Sequence, residues 1–468
     1  MAEFKLDEIL KATDGVLIHG TKGVDFSGVS IDSRTISPGE LFICIKGNNF
    51  DGHDFVQESV KKGAKGIIIS RKDILEKKTG FAGSKDQGLI VLLVKDGLES
   101  LHGIANYHRK RFSILLIAVT GSNGKTISKE MIASVAMTGF KTLKSEGNLN
   151  NLIGLPLSLL MLTPQHEVAV LEMGMSAAGE IRRLCRIAEP NIGVITNIGD
   201  VHLEHLGSVE KVKEAKAELV DFLGTEDVVS LNADDPLVLD MAKRMRGRVI
   251  TFGIDSEAAV RALNIDNRGL SGSDILLRVR DSESPVHLTM PGYHNIYNAL
   301  SAAAVGSILD IGIDKIREGL ESFRGMPMRM ERIDTGGIMI INDTYNANPV
   351  SIEAALRVIA DSDLEGNSFF VVGDMLELGE DTYRLHRDIG RKVAEFSIDY
   401  LITVGELSRL IAEEALAGGM GEDRVHVCKD HGAAFRILSE RLKDGDCVLV
   451  KGSRGMKMEK VVENLFIV

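Results

Sequence analysis

The 468-residue chain has only four cysteines, which lie far apart and include no C-x-x-C pair. We therefore expect reduced thiols, as in cytosolic proteins. No apolar run approaches the roughly 20 residues of a membrane-spanning helix, and residues 1–10 lack the apolar core of a signal peptide. An excess of positive charge is also lacking: 67 acidic residues outnumber 55 basic ones, and the formal net charge of −12 disfavours a nucleic acid or a membrane surface as the main partner.

The most informative segment that is present is 119–126, Val-Thr-Gly-Ser-Asn-Gly-Lys-Thr, which follows the apolar run Ile114 to Ala118. Apolar residues then recur at helical spacing, at Ile127, Met131, Ile132 and Val135. A strand, a glycine turn and a helix in this order form a phosphate site. Backbone N–H groups and a helix N-terminus face the anion, a lysine adds positive charge, and a threonine hydroxyl binds Mg²⁺.

The spacing of this loop departs from G-x-x-x-x-G-K-T because valine stands at position 119. It matches a shorter variant, T-G-x-x-G-K-T, which narrows the candidate families. The flanking strand and helix patterns disfavour the alternative of a glycine-rich turn that binds nothing. The residues predicted to contact a nucleotide here are Thr120, Gly121, Ser122, Asn123, Gly124, Lys125 and Thr126.

Short apolar strands alternate with helices along the chain, which predicts an α/β protein of three domains. These are a small N-terminal α/β domain (1–98), a central P-loop-type domain with a parallel sheet (99–327) and a Rossmann-like C-terminal domain (328–468). Helices are predicted at Gly97 to Arg111, Val209 to Leu223 and Asn295 to Leu309, and Asn348-Pro349 is a predicted helix start. The segment 255–290 is predicted to be rich in β-structure. The predicted strands are Leu41 to Ile45, Ile67 to Ile69, Leu89 to Val94, Val168 to Leu171, Ile192 to Thr196, Ile338 to Ile341, Phe369 to Val372, Leu401 to Val404, Val425 to Val427 and Val448 to Val450.

Two predicted strands are followed by residues that suit a metal. Glu172 ends one strand, and ligands in open α/β sheets bind at the carboxyl ends of strands, so Glu172 is placed to bind Mg²⁺. An ordinary acidic strand end is the alternative. His202 and His205 follow the next strand, with the spacing of a zinc pair, but no third ligand at metal spacing is nearby. We interpret His202 as a loop histidine that serves the Mg²⁺ site.

Lys216 falls within an apolar helical stripe formed by Val209, Val212, Leu219 and Leu223. Burial disfavours an ammonium and lowers its pKa, and the neutral amine that results can add CO₂ to become a carbamate, an oxygen ligand for Mg²⁺. The residues alone favour the alternative, a lysine that reaches solvent or pairs with Glu172 or Asp221.

In this order, these residues resemble the Mur ligases, the ATP-dependent amide-forming family of peptidoglycan synthesis. The resemblance covers essentially the whole chain and rests on the phosphate loop, Glu172, His202, Lys216, His294-Asn295 and Arg329. Three further segments resemble the branch that adds D-alanyl-D-alanine: 147–151, 342–349 and 373–379. The Asp-x-Pro-Arg type of motif expected of the diaminopimelate-adding branch is not seen in the third predicted domain.

The resemblance implies a catalytic set of Lys125, His202, Lys216 and Arg329. Thr126 and Glu172 would hold one Mg²⁺, and Glu172, His202 and Lys216 as N6-carboxylysine would hold a second. Lys125 and Arg329 would bind the γ-phosphate of ATP, Asn295 the adenine, and Asp343 would add to the nucleotide site; by residues alone, Asn295 is nearly as well explained as a helix cap. The implied substrate contacts are Ser33, Arg34 and Lys46 for the uridine diphosphate, Asn148 and Asn151 for the sugar-peptide, and Asn346, Asn348, Ser453 and Arg454 for the dipeptide.

The implied activity is ligation of D-alanyl-D-alanine to a UDP-N-acetylmuramoyl-tripeptide through an acyl phosphate. We expect a cytoplasmic monomer that neither binds nucleic acid nor inserts into a membrane. Two alternatives are other ligases: a tripeptide-forming Mur ligase and a folylpolyglutamate synthetase-like enzyme, which shares the short loop and the modified lysine. A third is a nucleotide-dependent switch, disfavoured because the chain has no Asn-Lys-x-Asp guanine motif.

Overall fold

A computed structural model describes residues 2–73, 88–199 and 206–466 of the chain. The chain divides into two compact units. Unit 1 comprises Met1–Ala118, Phe140–Met175 and Gly179–Gly193, and unit 2 comprises Val119–Gly139, Ser176–Ala178 and Val194–Val468. No helix among the described residues is both long enough and apolar enough to span a bilayer.

The N-terminal part of unit 1 is built on a five-stranded sheet in the order β2-β7-β6-β5-β4, in which only β2 runs antiparallel to its neighbour. Its inner strands are buried on both faces, which explains why they read as continuous apolar runs in the sequence. The elements are β1 (Phe4–Lys5), α1 (Leu6–Thr13), β2 (Val16–His19), β3 (Asp25–Phe26), β4 (Val29–Ser30), β5 (Leu41–Ile43), α2 (Val56–Lys61), β6 (Gly66–Ile69), β7 (Ile90–Leu93) and α3 (Gly97–Arg109).

A nine-stranded sheet follows, in the order β16-β15-β14-β13-β12-β11-β8-β10-β9. Strands β9 and β10 belong to unit 1, and β12 to β16 belong to unit 2. The elements are β8 (Leu115–Thr120), α4 (Lys125–Met137), β9 (Thr142–Lys144), α5 (Gly154–Leu159), β10 (Val168–Glu172), α6 (Glu180–Ala188), β11 (Ile192–Ile195), α7 (Val209–Phe222), β12 (Val228–Asn232), α8 (Pro236–Asp240), β13 (Arg248–Gly253), β14 (Val260–Asn267), β15 (Ser273–Val279), β16 (Ser282–Leu288), α9 (Tyr293–Ile308) and α10 (Ile313–Ser322).

The predicted β-rich segment 255–290 forms the antiparallel edge of this sheet. Strand β14 runs parallel to β13, and β15 and β16 then continue as an antiparallel meander. Their side chains alternate between buried and exposed positions, as expected for strands with one face on the core. The sequence indicated the strands but not their order.

The C-terminal part of unit 2 contains a six-stranded sheet in the order β17-β18-β22-β19-β20-β21, parallel except for β17. Every strand predicted after residue 335 is present, which confirms the α/β class with mostly parallel sheets. The elements are β17 (Glu331–Thr335), β18 (Ile338–Asp343), α11 (Pro349–Ala360), β19 (Ser368–Gly373), α12 (Thr382–Glu395), β20 (Tyr400–Val404), α13 (Arg409–Ala417), β21 (Val425–Cys428), α14 (His431–Arg441), β22 (Cys447–Lys451) and α15 (Glu459–Leu465).

The predicted helices are confirmed with small shifts at their ends. The helix predicted from Gly97 ends at Arg109 rather than Arg111, and the one predicted from Val209 ends at Phe222. Asn348 caps α11 as predicted, because its side-chain oxygen accepts a hydrogen bond from the Ser351 N–H at 2.9 Å and proline occupies the first helical position.

Helix α4, which follows the glycine turn, is held by very close backbone contact with α10. A Cβ atom built on Gly319 of α10 would lie 2.6 Å from the Cα of Val135 in α4. The Ser134 hydroxyl also donates a hydrogen bond to the Gly319 carbonyl at 2.7 Å. Glycine at position 319 therefore sets how near α10 can approach the helix that carries the phosphate loop.

We predict that Gly319→Ala lowers the free energy of unfolding by about 1–3 kcal/mol, because the added methyl group would force α4 and α10 apart. Urea denaturation followed by circular dichroism measures the change. Gly139→Ala is the matched control, since a Cβ there would meet Ile311 at an ordinary 3.7 Å and the backbone is not left-handed. Equal stability of the two variants would contradict this account of the helix contact.

Candidate active site

The turn between β8 and α4 has the strand–turn–helix geometry predicted for a phosphate loop. Gly121 has a φ of +152°, and a Cβ there would lie 1.8 Å from the Thr196 hydroxyl oxygen. Gly124 has a φ of +78°, and a Cβ there would lie 2.4 Å from the side-chain oxygen of Asn298. Both positions combine a backbone conformation that favours glycine with a lack of space for any side chain. The two glycines of the short T-G-x-x-G-K-T pattern are therefore required by the steric constraints of this turn.

The segment after β11 holds the loop in place. The backbone N–H groups of Ser122 and Asn123 donate to the backbone oxygen and the side-chain oxygen of Asn197, each at 2.8 Å. The Thr196 hydroxyl donates to the Asn123 carbonyl at 2.7 Å, and the Gly199 N–H donates to the Ser122 hydroxyl at 2.9 Å. The strand predicted over Ile192 to Thr196 ends at Ile195, and the apolar run gave no sign that Thr196 and Asn197 hold the loop.

The anion-binding part of the loop lies at the start of α4. The Ser122 and Asn123 N–H groups are bonded to Asn197 in this structure, so the backbone donors expected to face an anion are sought further along the loop. The first intrahelical bond of α4 runs from the Ser128 N–H to the Gly124 carbonyl at 2.8 Å. The N–H groups of residues 125–127 precede it at the N-terminus of α4, and this end of a helix suits a phosphate.

Three predicted phosphate ligands come together at this helix end. The Lys125 Nζ lies across the loop and donates to the carbonyls of Gly121 and Ser122 at 2.9 and 3.0 Å. Thr126 is buried, and its hydroxyl oxygen accepts a hydrogen bond from the Arg329 guanidinium at 3.0 Å. The structure therefore brings Arg329 to Lys125 and Thr126, although Arg329 is 203 residues after Thr126 in the sequence.

Lys216 reaches the same loop from α7. Only 2% of the residue is exposed, and its Nζ donates to the Gly121 carbonyl at 2.8 Å. The hypothesis that Lys216 reaches solvent is therefore wrong. Asp221, one of the suggested partners, forms an ion pair with Arg244 at 2.5 Å. The apolar stripe does bury the lysine, with Val212, Leu219 and Leu223 fully buried around the helix face.

In unit 1, Glu172 is the last residue of β10, and one of its two carboxylate oxygens lacks a hydrogen-bond donor among the described residues. It is 2% exposed, and one carboxylate oxygen accepts a hydrogen bond from the Asn150 side chain at 2.8 Å. The other oxygen, Oε2, is buried and has no hydrogen-bond donor among the described residues. A buried acceptor without a donor is costly, and a cation satisfies it. Asn150 was missed by the sequence analysis, although it stands between the predicted Asn148 and Asn151.

Asn148 and Asn151 are both exposed on the segment before α5. The Asn151 side-chain oxygen accepts hydrogen bonds from the N–H groups of Ile153 and Gly154 at 3.0 and 2.9 Å. His202 and His205 lie outside the described residues. Within the described ranges no three His, Cys, Asp or Glu side chains cluster as a metal site, and the predicted set includes only one such described residue, Glu172.

Asn295 lies near the start of α9 but does not cap it, because the N-cap position is Gly292. Its side-chain nitrogen donates to the Pro291 carbonyl at 2.7 Å, and its oxygen accepts from Asn298 at 2.8 Å. Asn298 in turn accepts a hydrogen bond from the Ser128 hydroxyl of α4 at 3.0 Å. The helix-cap interpretation is therefore wrong, and Asn295 belongs to a buried polar chain that leads to the phosphate-loop helix.

The carboxyl ends of the C-terminal strands carry the other predicted contacts of unit 2. Asp343 forms a buried ion pair with Lys451, and the Lys451 Nζ also donates to the Asn346 carbonyl at 3.0 Å. The Asn348 side-chain nitrogen donates to the Asn123 side-chain oxygen of the phosphate loop at 2.8 Å. This edge of the C-terminal sheet and the phosphate loop therefore share direct contacts.

The turn after β19 is fixed by Ser453 and His386. The Ser453 hydroxyl oxygen accepts from the Leu376 N–H at 2.9 Å, and Arg454 is exposed and paired with Glu459 at 3.0 Å. The His386 Nε2 accepts from the Met375 N–H at 3.0 Å while its Nδ1 lies 2.7 Å from the Thr382 carbonyl, which assigns the ring proton to Nδ1. Burial lowers the pKa of His386 below the ordinary 6.5, so the ring stays neutral here.

The predicted uridine diphosphate contacts follow two neighbouring parallel strands, β4 and β5, and so lie at one edge of the N-terminal sheet. Arg34 pairs with Asp32 at 2.7 Å, and its hydrogen bonds lower the pKa of Asp32 to about 2. Ser33 is buried, with its hydroxyl bonded to Glu58 at 3.2 Å. Lys46 forms a β-bridge with Asp51 that closes the loop after β5.

Three family models match the chain: the Mur ligase middle domain at residues 119–306, the Mur ligase glutamate ligase domain at 328–454, and the Mur ligase family catalytic domain at 25–107. A Bacillus subtilis relative, UDP-N-acetylmuramoyl-tripeptide--D-alanyl-D-alanine ligase, is 36% identical over 94% of this chain and 93% of its own. The chain belongs to the Mur ligase family.

Solved structures of this family share the fold over nearly the whole length. MurF from Acinetobacter baumannii superposes with a TM-score of 0.89 at 29% identity, and each chain is covered completely. MurF from Thermotoga maritima in complex with ADP superposes with a TM-score of 0.81 at 28% identity, and 93% of this chain and 96% of that chain are covered. The site residues of this Mur ligase therefore lie on a shared architecture.

We predict that the pH dependence of stability contains a contribution from His386. Because its pKa is lower in the folded chain than in the unfolded chain, this contribution is complete above about pH 6.5 and is lost as the pH falls toward the folded pKa. His386→Leu should lower the thermal unfolding midpoint at pH 7.5. Between pH 7.5 and pH 5.5, the unfolding midpoint of this variant should fall by less than that of the unmodified protein. His19→Leu, at an exposed position, is the control; parallel pH profiles for the His386 variant and the unmodified protein would refute the assignment.

Proposed function

We propose that this chain is an ATP-dependent ligase that joins D-alanyl-D-alanine to the tripeptide of a UDP-N-acetylmuramoyl-tripeptide and releases ADP and phosphate. Near-full-length similarity to relatives that bear this name supports the substrates. The observation that carries the proposal is the convergence of Lys125, Thr126 and Arg329 at the N-terminus of α4. Such a site suits the phosphates of a nucleotide.

The reaction requires activation of a carboxylate, because its oxygen is a poor leaving group. The γ-phosphoryl group of ATP is transferred to the terminal carboxylate of the tripeptide and gives an acyl phosphate and ADP. The dipeptide amine then attacks the acyl carbon, and phosphate leaves as the amide bond forms. Lys125, Arg329 and the N-terminus of α4 stabilise the charge on the transferred group.

Water must be kept from the acyl phosphate until the amine arrives. We propose that the C-terminal segment 328–468 provides this protection where it meets the phosphate loop. The hydrogen bonds from Arg329 to Thr126 and from Asn348 to Asn123 support the proposal. We propose the domain bounds 1–98, 99–327 and 328–468; the three family models match residues 25–107, 119–306 and 328–454.

The donor sets fit Mg²⁺, which prefers oxygen ligands. The buried, donor-free oxygen of Glu172 is a ready ligand, and the Thr126 hydroxyl is another. We propose Thr126 and Glu172 for one ion, and Glu172, His202 and Lys216 for a second. Bound Mg²⁺ offsets the repulsion between the tripeptide carboxylate and the triphosphate.

We propose that Lys216 acts as N6-carboxylysine. Lys216 is buried, and its amine, once it has lost a proton, would add CO₂ and release a further proton to give a carbamate with two oxygen atoms. The position of its Nζ next to the Gly121 carbonyl would place those oxygens beside the phosphate loop.

The remaining contacts are proposed by place in the fold. Asn295 would meet the adenine and Asp343 the nucleotide. We propose a monomer acting in the cytoplasm, without a nucleic-acid partner, which the net charge of −12 supports. The proposed substrate contacts are Ser33, Arg34, Lys46, Asn148, Asn151, Asn346, Asn348, Ser453 and Arg454.

We predict that Lys125→Ala lowers turnover by at least 100-fold while the protein stays folded, because the transferred phosphoryl group loses its nearest ammonium. The assay is ADP release with UDP-N-acetylmuramoyl-tripeptides ending in lysine or diaminopimelate, with and without D-alanyl-D-alanine. Lys315→Ala, on the exposed face of α10, is the control. Near-normal turnover of the Lys125 variant, or ADP release independent of the dipeptide, would sink the proposal; the latter would favour a nucleotide switch.

We predict that Lys216→Ala abolishes ligation and that formate or acetate at millimolar concentration restores part of it, because a small carboxylate replaces the oxygens of the carbamate. Initial rates with increasing carboxylate measure the rescue. Lys213→Ala on the same helix removes a lysine that pairs with Asp240, and should remain active without added carboxylate. No loss in the Lys216 variant, or a loss without any rescue, would contradict the modification.

A further inference from the structure

The backbone on both sides of Arg329 is held in an unfavourable conformation. Met328 and Met330 have φ values of +63° and +50°, in the left-handed region that non-glycine residues seldom adopt. Residues between Met326 and Arg329 close a tight turn through an isolated β-bridge. Such strained backbone persists only where surrounding contacts hold the chain, and it is common at functional sites, where a side chain must be kept in one orientation.

Those contacts come from the carboxyl end of β18. The Tyr345 N–H donates to the Met328 carbonyl, and the Met330 N–H donates to the Asp343 carboxylate, both at 3.1 Å. Asp343 is itself fixed by its buried ion pair with Lys451. The turn that carries Arg329 is thus fastened to β18 immediately before and immediately after the arginine.

The side chain of Arg329 is held as firmly as its backbone. Its guanidinium carbon lies 3.9 Å from the centroid of the Tyr345 ring, within the range of a cation–π interaction. The Nη2 atom of the same guanidinium donates to the Thr126 hydroxyl at 3.0 Å. The Tyr345 ring therefore covers one face of the guanidinium, and the edge of the guanidinium contacts Thr126 at the N-terminus of α4.

We propose that Tyr345 is a positioning residue for the ligation reaction, whose ring holds the Arg329 guanidinium aimed at the phosphate loop. The inference rests on the proposed function of Arg329 at the γ-phosphate and adds a residue to it. The face of the aromatic ring holds the guanidinium, so the phenol hydroxyl of Tyr345 is not needed for this role. Without the ring, Arg329 samples other rotamers and reaches the transferred phosphoryl group less often.

The test compares Tyr345→Phe with Tyr345→Leu in the complete ligation assay. The phenylalanine variant should keep kcat within twofold, and the leucine variant should lose about tenfold in kcat, the size of one cation–π contact. Neither variant should change KM for the dipeptide. If the leucine variant does not fold, Tyr345→Met removes the ring with an unbranched side chain of similar length.

A double-mutant cycle with Arg329→Ala separates positioning from a general structural effect. In the Arg329→Ala background, Tyr345→Leu should cause no further loss of kcat. Phe396→Leu is the matched control, because it removes a ring that lies 5.7 Å from Arg357, and it should leave kcat unchanged.

Two results would overturn the inference in distinguishable ways. If Tyr345→Leu lowers kcat equally with and without Arg329, or if Tyr345→Phe is as impaired as Tyr345→Leu, the ring does not act through Arg329 while the ligase proposal stands. If Arg329→Ala alone keeps full kcat, the role of Arg329 at the γ-phosphate fails, and the positioning role falls with it.

Discussion

The absence of space for a side chain at Gly121 and Gly124 is the constraint on which the rest of the structure depends. Thr196 and Asn298 approach the loop backbone so closely that neither glycine can be replaced without a clash. The shape of this turn directs the Gly121 carbonyl to Lys216 and presents the start of α4 to a ligand. The lysines, the threonine and the arginine of the site are all arranged around this one turn.

A second theme is the buried carboxylate of Glu172, which is only partly compensated among the described residues. Its Oε2 atom is buried and has no hydrogen-bond donor there. This arrangement costs stability, since a buried ionic group needs partners. A protein tolerates it where a ligand or a cation supplies the missing partner. The chemistry proposed for the site and its energetic cost therefore have the same origin.

Much of the fold could be predicted because its signals are local. The strands of the C-terminal sheet are buried on both faces and so appear as apolar runs, and the Asn348-Pro349 helix start has a signature of two residues. The phosphate loop was also predictable, since the glycines, Lys125 and Thr126 are adjacent in sequence. The order of β14 to β16 was not, because alternation indicates a strand without indicating its neighbour.

What the sequence could not indicate are contacts made across long separations. The contacts of Asn197, Asn150 and Tyr345 are made with partners that are 74, 22 and 16 residues away in the sequence. The sequence left two roles open for Asn295, a helix cap and a binding residue. The N-cap at Gly292 excludes the first of them. The burial of Lys216 could be expected from its stripe, but the carbonyl that receives its ammonium could not.

The Lys125 ammonium bears on the last step of the proposed reaction. It donates hydrogen bonds to the carbonyls of Gly121 and Ser122. If Lys125 binds the γ-phosphate as proposed, it would exchange these carbonyl oxygens for phosphate oxygens and return to the carbonyls once that phosphate has been transferred. Such an exchange would weaken the binding of ADP and favour its release.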